Sequence, residues 1–164
     1  MRRLLSFLLL ALIFTSASCK RYKEYKEIQD LKVFSAHYLR AEQDYCSTNP
    51  LVAEQGMLAF LVWFSDTKHT GEPVLSRDMV LSKVNGRLFL LEEHLGKSAQ
   101  ADECYRESAE AWNRYVAYLE TLDLPPSDHP LERVASPEEL RDLLARQDKG
   151  LEVGWMNVAE ETSK

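Results

Sequence analysis

Apolar residues recur at helical spacing through most of the chain. From Tyr22 to about Tyr45, the residues Tyr25, Ile28, Leu31, Leu39 and Tyr45 sit among charges, with Phe34 and Tyr38 four apart. Such spacing gives one apolar stripe on a helix, and the segment holds no Gly or Pro to interrupt it. Asn49-Pro50 opens a second helix. Asn accepts from a first-turn amide, and Pro at the first helical position loses no bond. Residues 51 to 64 are then apolar nearly all round, from Leu51 and Val52 through Met57, Leu58, Phe60 and Leu61 to Val62, Trp63 and Phe64. A helix apolar on every side is a buried one, so this segment is predicted to be the core helix. Gly56, with Ala53 and Ala59, would let a neighbouring helix approach closely.

A polar loop over 65–75 leads to a third predicted helix, from about Ser76 to Leu95, with Val80, Val84, Leu88, Leu91 and Leu95 along one face. Gly96 ends it, since Gly adopts the left-handed terminator conformation without penalty. A fourth helix starts near Ser98, read as its cap, and runs to about Leu122. Its predicted buried stripe is Ala101, Cys104, Tyr105, Ser108, Trp112, Tyr115 and Leu119. Pro125-Pro126 breaks the chain. Ser136-Pro137-Glu138-Glu139 then signals a fifth helix: a Ser cap, Pro at the first position and Glu placed to close a capping box. It ends around Gly150, and Trp155 and Met156 in the tail are positioned to dock back. The expected fold class is all-α, a single bundle of about five helices.

The first nineteen residues follow a different rule. Arg2-Arg3 precede an apolar run from Leu4 to Phe14, then small residues, then Cys19. A membrane span needs about 20 apolar residues, whereas the core of an export signal has roughly 7 to 15. Ser16-Ala17-Ser18-Cys19 resembles the lipobox of bacterial lipoproteins, in which small residues precede the cysteine that is lipidated; Ser16 stands where that family usually has Leu. The resemblance implies a signal peptide over residues 1–18 and a single all-helical domain over 19–164, tethered to a membrane through lipid on Cys19. Lys20, not an acidic residue, follows the cysteine, which in such lipoproteins implies the outer membrane, facing the periplasm. Ordinary cleavage after Ala17 or Ser18 would instead release a soluble periplasmic protein.

The cysteine count bears on this reading. There are three, Cys19, Cys46 and Cys104. If Cys19 carries lipid, an even pair remains in an oxidising compartment, and a Cys46–Cys104 disulfide is expected there. Closing so long a loop is worth about 4 kcal/mol by the chain-entropy estimate. The alternative is two separate thiols packed like small apolar residues.

Residues 88 to 112, LFLLEEHLGKSAQADECYRESAEAW, resemble the tetratricopeptide repeat, an antiparallel helix pair with Leu-Gly at its turn. Leu95, Gly96, Ala101 and Tyr105 carry the match, within a hairpin of about residues 80–113; Phe89 and Ser108 depart from the small residues the family places there. No second copy at that period is present. The resemblance implies a scaffold that binds peptides or proteins between helices.

Charge and chemistry narrow the classes further. Removing Arg2 and Arg3 with the leader takes the formal charge from −6 to −8. That disfavours nucleic acid as a partner, which demands a basic patch. The four histidines, 37, 69, 94 and 129, show no metal-pair spacing, and His94 reads as a favourable charge at a helix C-terminus. There is no GxSxG, no CxxC and no Gly-rich phosphate loop. Asp66, Asp78, Glu92, Glu93, Asp102 and Glu103 are acids on helix surfaces, read as solvated. The expectation is a non-enzymatic envelope lipoprotein with no cofactor, acting as a helical scaffold for a protein partner. The alternatives are a soluble periplasmic hydrolase and a binder of small apolar ligands.

Overall fold

The computed structural model describes residues 29–66, 74–122 and 132–156. The chain divides into two compact units, residues 1–37 and 38–164. In the first, residues 29–37 are helical. The segment read as an export signal and lipobox, with Cys19, lies outside the described residues, as do His69 and His129.

All regular structure among the described residues is helical. We label residues 29–45 α1, of which 38–45 belong to the second unit, Pro50–Asp66 α2, Val74–His94 α3, Ser98–Glu120 α4 and Pro137–Gln147 α5. The α2 start forms as predicted, with Asn49 Oδ1 accepting from the Leu51 amide at 3.0 Å. At α4 the cap position falls to Lys97, which makes no side-chain capping bond; Ser98 is the first helical residue, not the cap. At α5 the capping box is complete: Ser136 Oγ accepts from Glu139 N at 3.2 Å, and Glu139 Oε2 accepts from Ser136 N at 3.2 Å. Gly96 turns the α3–α4 hairpin at φ 71°.

The bundle is organised around α3, which packs against α2, α4 and α5. Residues 84 to 89 are buried without a break. Sequence pattern assigns the central place to α2, and the structure corrects this. On α2 only Ala53, Met57, Phe60 and Phe64 are buried. Leu51, Val52, Leu58 and Val62 are 52, 41, 41 and 63 % exposed. The physical reason is that α3's polar residues find partners inside. Ser108 Oγ donates to the Ser82 carbonyl at 2.7 Å, and Arg87 and Glu92 meet opposite charges. A buried polar group that is paired escapes most of its desolvation cost.

On one side of α3, Phe89 joins Ala101, Ala109, Trp112, Val116, Val134, Leu140, Leu143 and Leu144 in a continuous apolar cluster. Gly86 allows the approach there, because a Cβ would stand 2.8 Å from Leu144 Cδ2. The irregular segment before α5 is pinned by Asn113, whose Nδ2 donates to the Val134 carbonyl at 2.8 Å and whose Oδ1 accepts from Val134 N at 2.9 Å. Trp112 Nε1 donates to the Glu132 carbonyl at 2.8 Å. Gly56 performs the role its position suggested, since a Cβ there would overlap Asp44 of α1.

Candidate functional site

Three features combine chemistry with position: the outer face of α2, an ion cluster behind it, and a buried arginine that ties the C-terminal segment to the bundle.

The outer face of α2 is formed by the exposed positions Leu51, Val52, Gln55, Leu58, Ala59, Val62 and Ser65, uncharged until the exposed Asp66 that ends the helix. Leu51, Gln55, Leu58 and Val62 are spaced four, three and four residues apart, the spacing of a seam between paired helices. The inner face packs aromatic rings, Phe60 against Phe64 at 5.6 Å, Trp63 at 5.7 Å and Tyr38 at 5.6 Å between centroids. The helix is therefore apolar on both sides, with only one side covered by the bundle.

Glu54 is the one charged residue between Pro50 and Ser65, and it turns inward. Lys97 Nζ, from the α3–α4 turn, lies 2.5 Å from Glu54 Oε1 and 3.3 Å from Glu92 Oε2. The Glu92 and Glu54 side chains are 5 and 13 % exposed. Burial, and then the charge of Glu54 beside it, push the Glu92 carboxyl above the ordinary carboxylate range. Hydrogen bonding to Glu54 raises the Lys97 ammonium above the usual lysine range.

Arg87 is 1 % exposed. Its Nη2 lies 2.9 Å from Glu42 Oε1 and 2.7 Å from Asp148 Oδ1, and its guanidinium carbon is 4.8 Å from the centre of the Tyr45 ring. Burial pulls the guanidinium toward neutrality, but the hydrogen bond to Asp148 and the surrounding negative charge outweigh it and hold Arg87 charged. Tyr45 is raised above the usual tyrosine range by burial first and by Asp148 next. Beyond Asp148 the chain crosses the α1–α2 turn. Gly154 N donates to the Cys46 carbonyl at 3.2 Å, Trp155 N to the Ser47 carbonyl at 2.9 Å and Trp155 Nε1 to the Tyr45 carbonyl at 2.9 Å. Trp155 is buried and also meets the His94 ring, with centroids 5.0 Å apart. The tail thus docks back as its apolar residues suggested, although Met156 is 40 % exposed.

The residues singled out in the sequence are dispersed. Cys46 and Cys104 are free thiols, which corrects the expected disulfide. They lie in different surroundings. Cys46 follows α1 within the field of Arg87, Glu42 and Asp148, and burial raises its thiol. Cys104 sits on α4, where burial and then Glu92 push its thiol up to about 11. Leu95 and Gly96 lie at the turn between α3 and α4, and Ala101 and Tyr105 on α4, with Ala101 buried and Tyr105 6.0 Å from Phe89 between ring centroids. Among the described residues, no three His, Cys, Asp or Glu converge as a metal site. A cavity of about 100 Å³ is lined by Glu132, Arg133, Val134, Glu139, Asp142, Leu143 and Arg146. It is small beside the roughly 300 to 1,000 Å³ of a ligand site.

Sequence reasoning missed the outward stripe of α2, Glu54 as the partner of Glu92 and Lys97, and the Arg87 cluster. Only the second had a sequence signal, a lone Glu in an apolar helix. No described helix is long and apolar enough to cross a membrane. No protein-family model, curated protein or solved structure matches the chain.

Proposed function

We propose that this protein is a lipid-anchored interaction module of the bacterial cell envelope, tethered through Cys19 and presenting α2 to an apolar helix of a protein partner. The observation that carries this reading is the uncharged stripe of Leu51, Val52, Leu58 and Val62, each more than 40 % exposed. Exposed apolar surface in a contiguous patch marks interaction sites more often than scattered single residues do. The partner is read as a helix because the stripe has seam spacing, with Leu58 and Val62 as knobs beside the small Ala59. The tether follows from the resemblance of residues 16–19 to a lipobox. Outer-membrane placement follows from Lys20.

The test is site-specific photocrosslinking in cells, with the reactive group at Leu58 and a control at Arg106 on the exposed side of α4. A protein adduct from position 58 alone, abolished by Val62→Glu, is the expected result. Adducts restricted to lipid, or equal from both positions, overturn the reading of α2. Intact mass of the membrane-extracted protein tests the tether separately. A mature chain beginning at Cys19 without added lipid overturns the anchor and leaves the α2 surface standing.

A further inference from the structure

Glu54, Glu92 and Lys97 come from three places in the bundle: α2, the last turns of α3, and the turn into α4. Two carboxylates converge on one ammonium, so the ionised cluster carries one uncompensated negative charge. Both carboxylates are largely withdrawn from water. Glu92 Oε2, although 3.3 Å from Lys97, makes no hydrogen bond of proper geometry. A buried oxygen in that position has room in its chemistry for a proton.

Among the described residues, Lys97 is the cation that pairs with Glu54 and Glu92. On α4, Cys104 faces the cluster, with Glu103 and Glu107 close enough to act on its thiol. On α5, Arg141 is engaged with Glu93, 2.6 Å from Nη2 to Oε1. On α2, Glu54 is the charged group that meets Glu92.

We propose that Glu54, Lys97 and Glu92 form a proton-operated lock, in which one proton held between the two carboxylates fastens α2 to the α3–α4 hairpin and its loss loosens α2. With the proton bound, the cluster is neutral and the two carboxyl groups hydrogen-bond each other while Lys97 neutralises the remaining charge. With the proton lost, two buried anions face one another, and the strain falls on the only one of the three groups that belongs to α2. The sign follows from Glu92 binding its proton more tightly in the folded chain than in the unfolded one. Its stabilising effect is full below the ordinary carboxylate range and is lost as pH rises through the raised value. The lock operates whether or not the outer face of α2 is occupied.

The experiment is hydrogen exchange of the α2 amides on the folded protein from about pH 4.5 to 7.5, corrected for intrinsic exchange chemistry, in wild type and Glu92→Gln. A proton held more tightly in the closed state makes opening rarer, so α2 of the wild type is expected to open less often at the acid end than at the alkaline end. Amides of α5, held by a different ion pair, should not share that gain. Glu92→Gln, which imitates the protonated carboxyl, should protect α2 equally at both ends of the range. A wild-type α2 whose opening is independent of pH, or a pH response that survives in Glu92→Gln, overturns the lock. Lys97→Met is a second arm: without the ammonium the carboxylates should hold their proton to higher pH, and an unchanged transition also counts against the proposal.

Discussion

Arg87 and Asp148 make a two-point ion pair, Nε to Oδ2 at 3.0 Å and Nη2 to Oδ1 at 2.7 Å, that joins the centre of α3 to the residue closing α5. The same carboxylate receives Lys83 at 3.2 Å, while Glu42 of α1 takes a further contact with Arg87. Removing one partner of a buried pair strands the other charge, which is more costly than the pair itself is stabilising.

Asp148→Ala should therefore lower stability by about 3 kcal/mol or more, because a guanidinium 1 % exposed loses its fork partner. Glu42→Ala should cost only about 1 kcal/mol, since Glu42 is 26 % exposed and Arg87 keeps Asp148. Urea unfolding of the two variants checks the order; equal losses would show that Asp148 is not the principal partner.

Gly154 and Gly96 predict different responses to the same substitution. At Gly154 a Cβ would meet the Cys46 carbonyl oxygen at 3.0 Å and Ser47 C at 3.1 Å, both backbone atoms that cannot rotate away. Gly154→Ala should displace the tail, at a cost of about 1 to 3 kcal/mol, and expose Trp155 to water. At Gly96 there is open space, so Gly96→Ala should cost only the left-handed backbone penalty, about 1 kcal/mol, with no change at Trp155. Tryptophan emission read in a variant lacking Trp63 and Trp112 separates the two.

The two sides of α2 should differ sharply. Phe64 is fully buried, and Phe64→Ala should cost about 3 to 5 kcal/mol. Val62 is 63 % exposed, and Val62→Ser should stay within about 0.5 kcal/mol. Comparable losses would mean that the outer stripe is covered within the folded chain itself.

Alkylation checks the thiols. In the full chain purified from the bacterial cell envelope, unfolding without reductant should free both Cys46 and Cys104 for iodoacetamide, and a product lacking both adducts would establish a disulfide. In the folded protein Cys104, held near 11, should react roughly a hundredfold more slowly than an ordinary thiol at pH 8, and faster as pH rises. A Cys104 as fast as an ordinary thiol would show that burial and Glu92 do not restrain it.

Local rules account for the helices. Asn49-Pro50, Gly96 and the Ser136–Glu139 box set their ends through bonds between residues within a few positions of one another, and those pairings are present in any neighbourhood. Apolar spacing also gave the buried Val80, Val84, Leu88 and Leu91 of α3, with Leu95 half-buried; on α4 it gave Ala101, Ser108 and Trp112, but Cys104, Tyr105, Tyr115 and Leu119 are only half-buried and Ala109, Ala111 and Val116 were missed. The return of Trp155 was legible from an apolar residue in a polar tail. What lay beyond sequence was which helix takes the middle. Hydrophobic content favoured α2, yet α3 is central because Ser82, Arg87 and Glu92 meet Ser108, Asp148, Glu42 and Lys97 from four other parts of the chain. Amphipathic periodicity reports the nature of each side chain; it does not report whether a distant residue arrives to neutralise it. The α2 stripe, the three-residue lock and the separation of Cys46 from Cys104 were decided in that way, by long-range partners that only the packed bundle supplies.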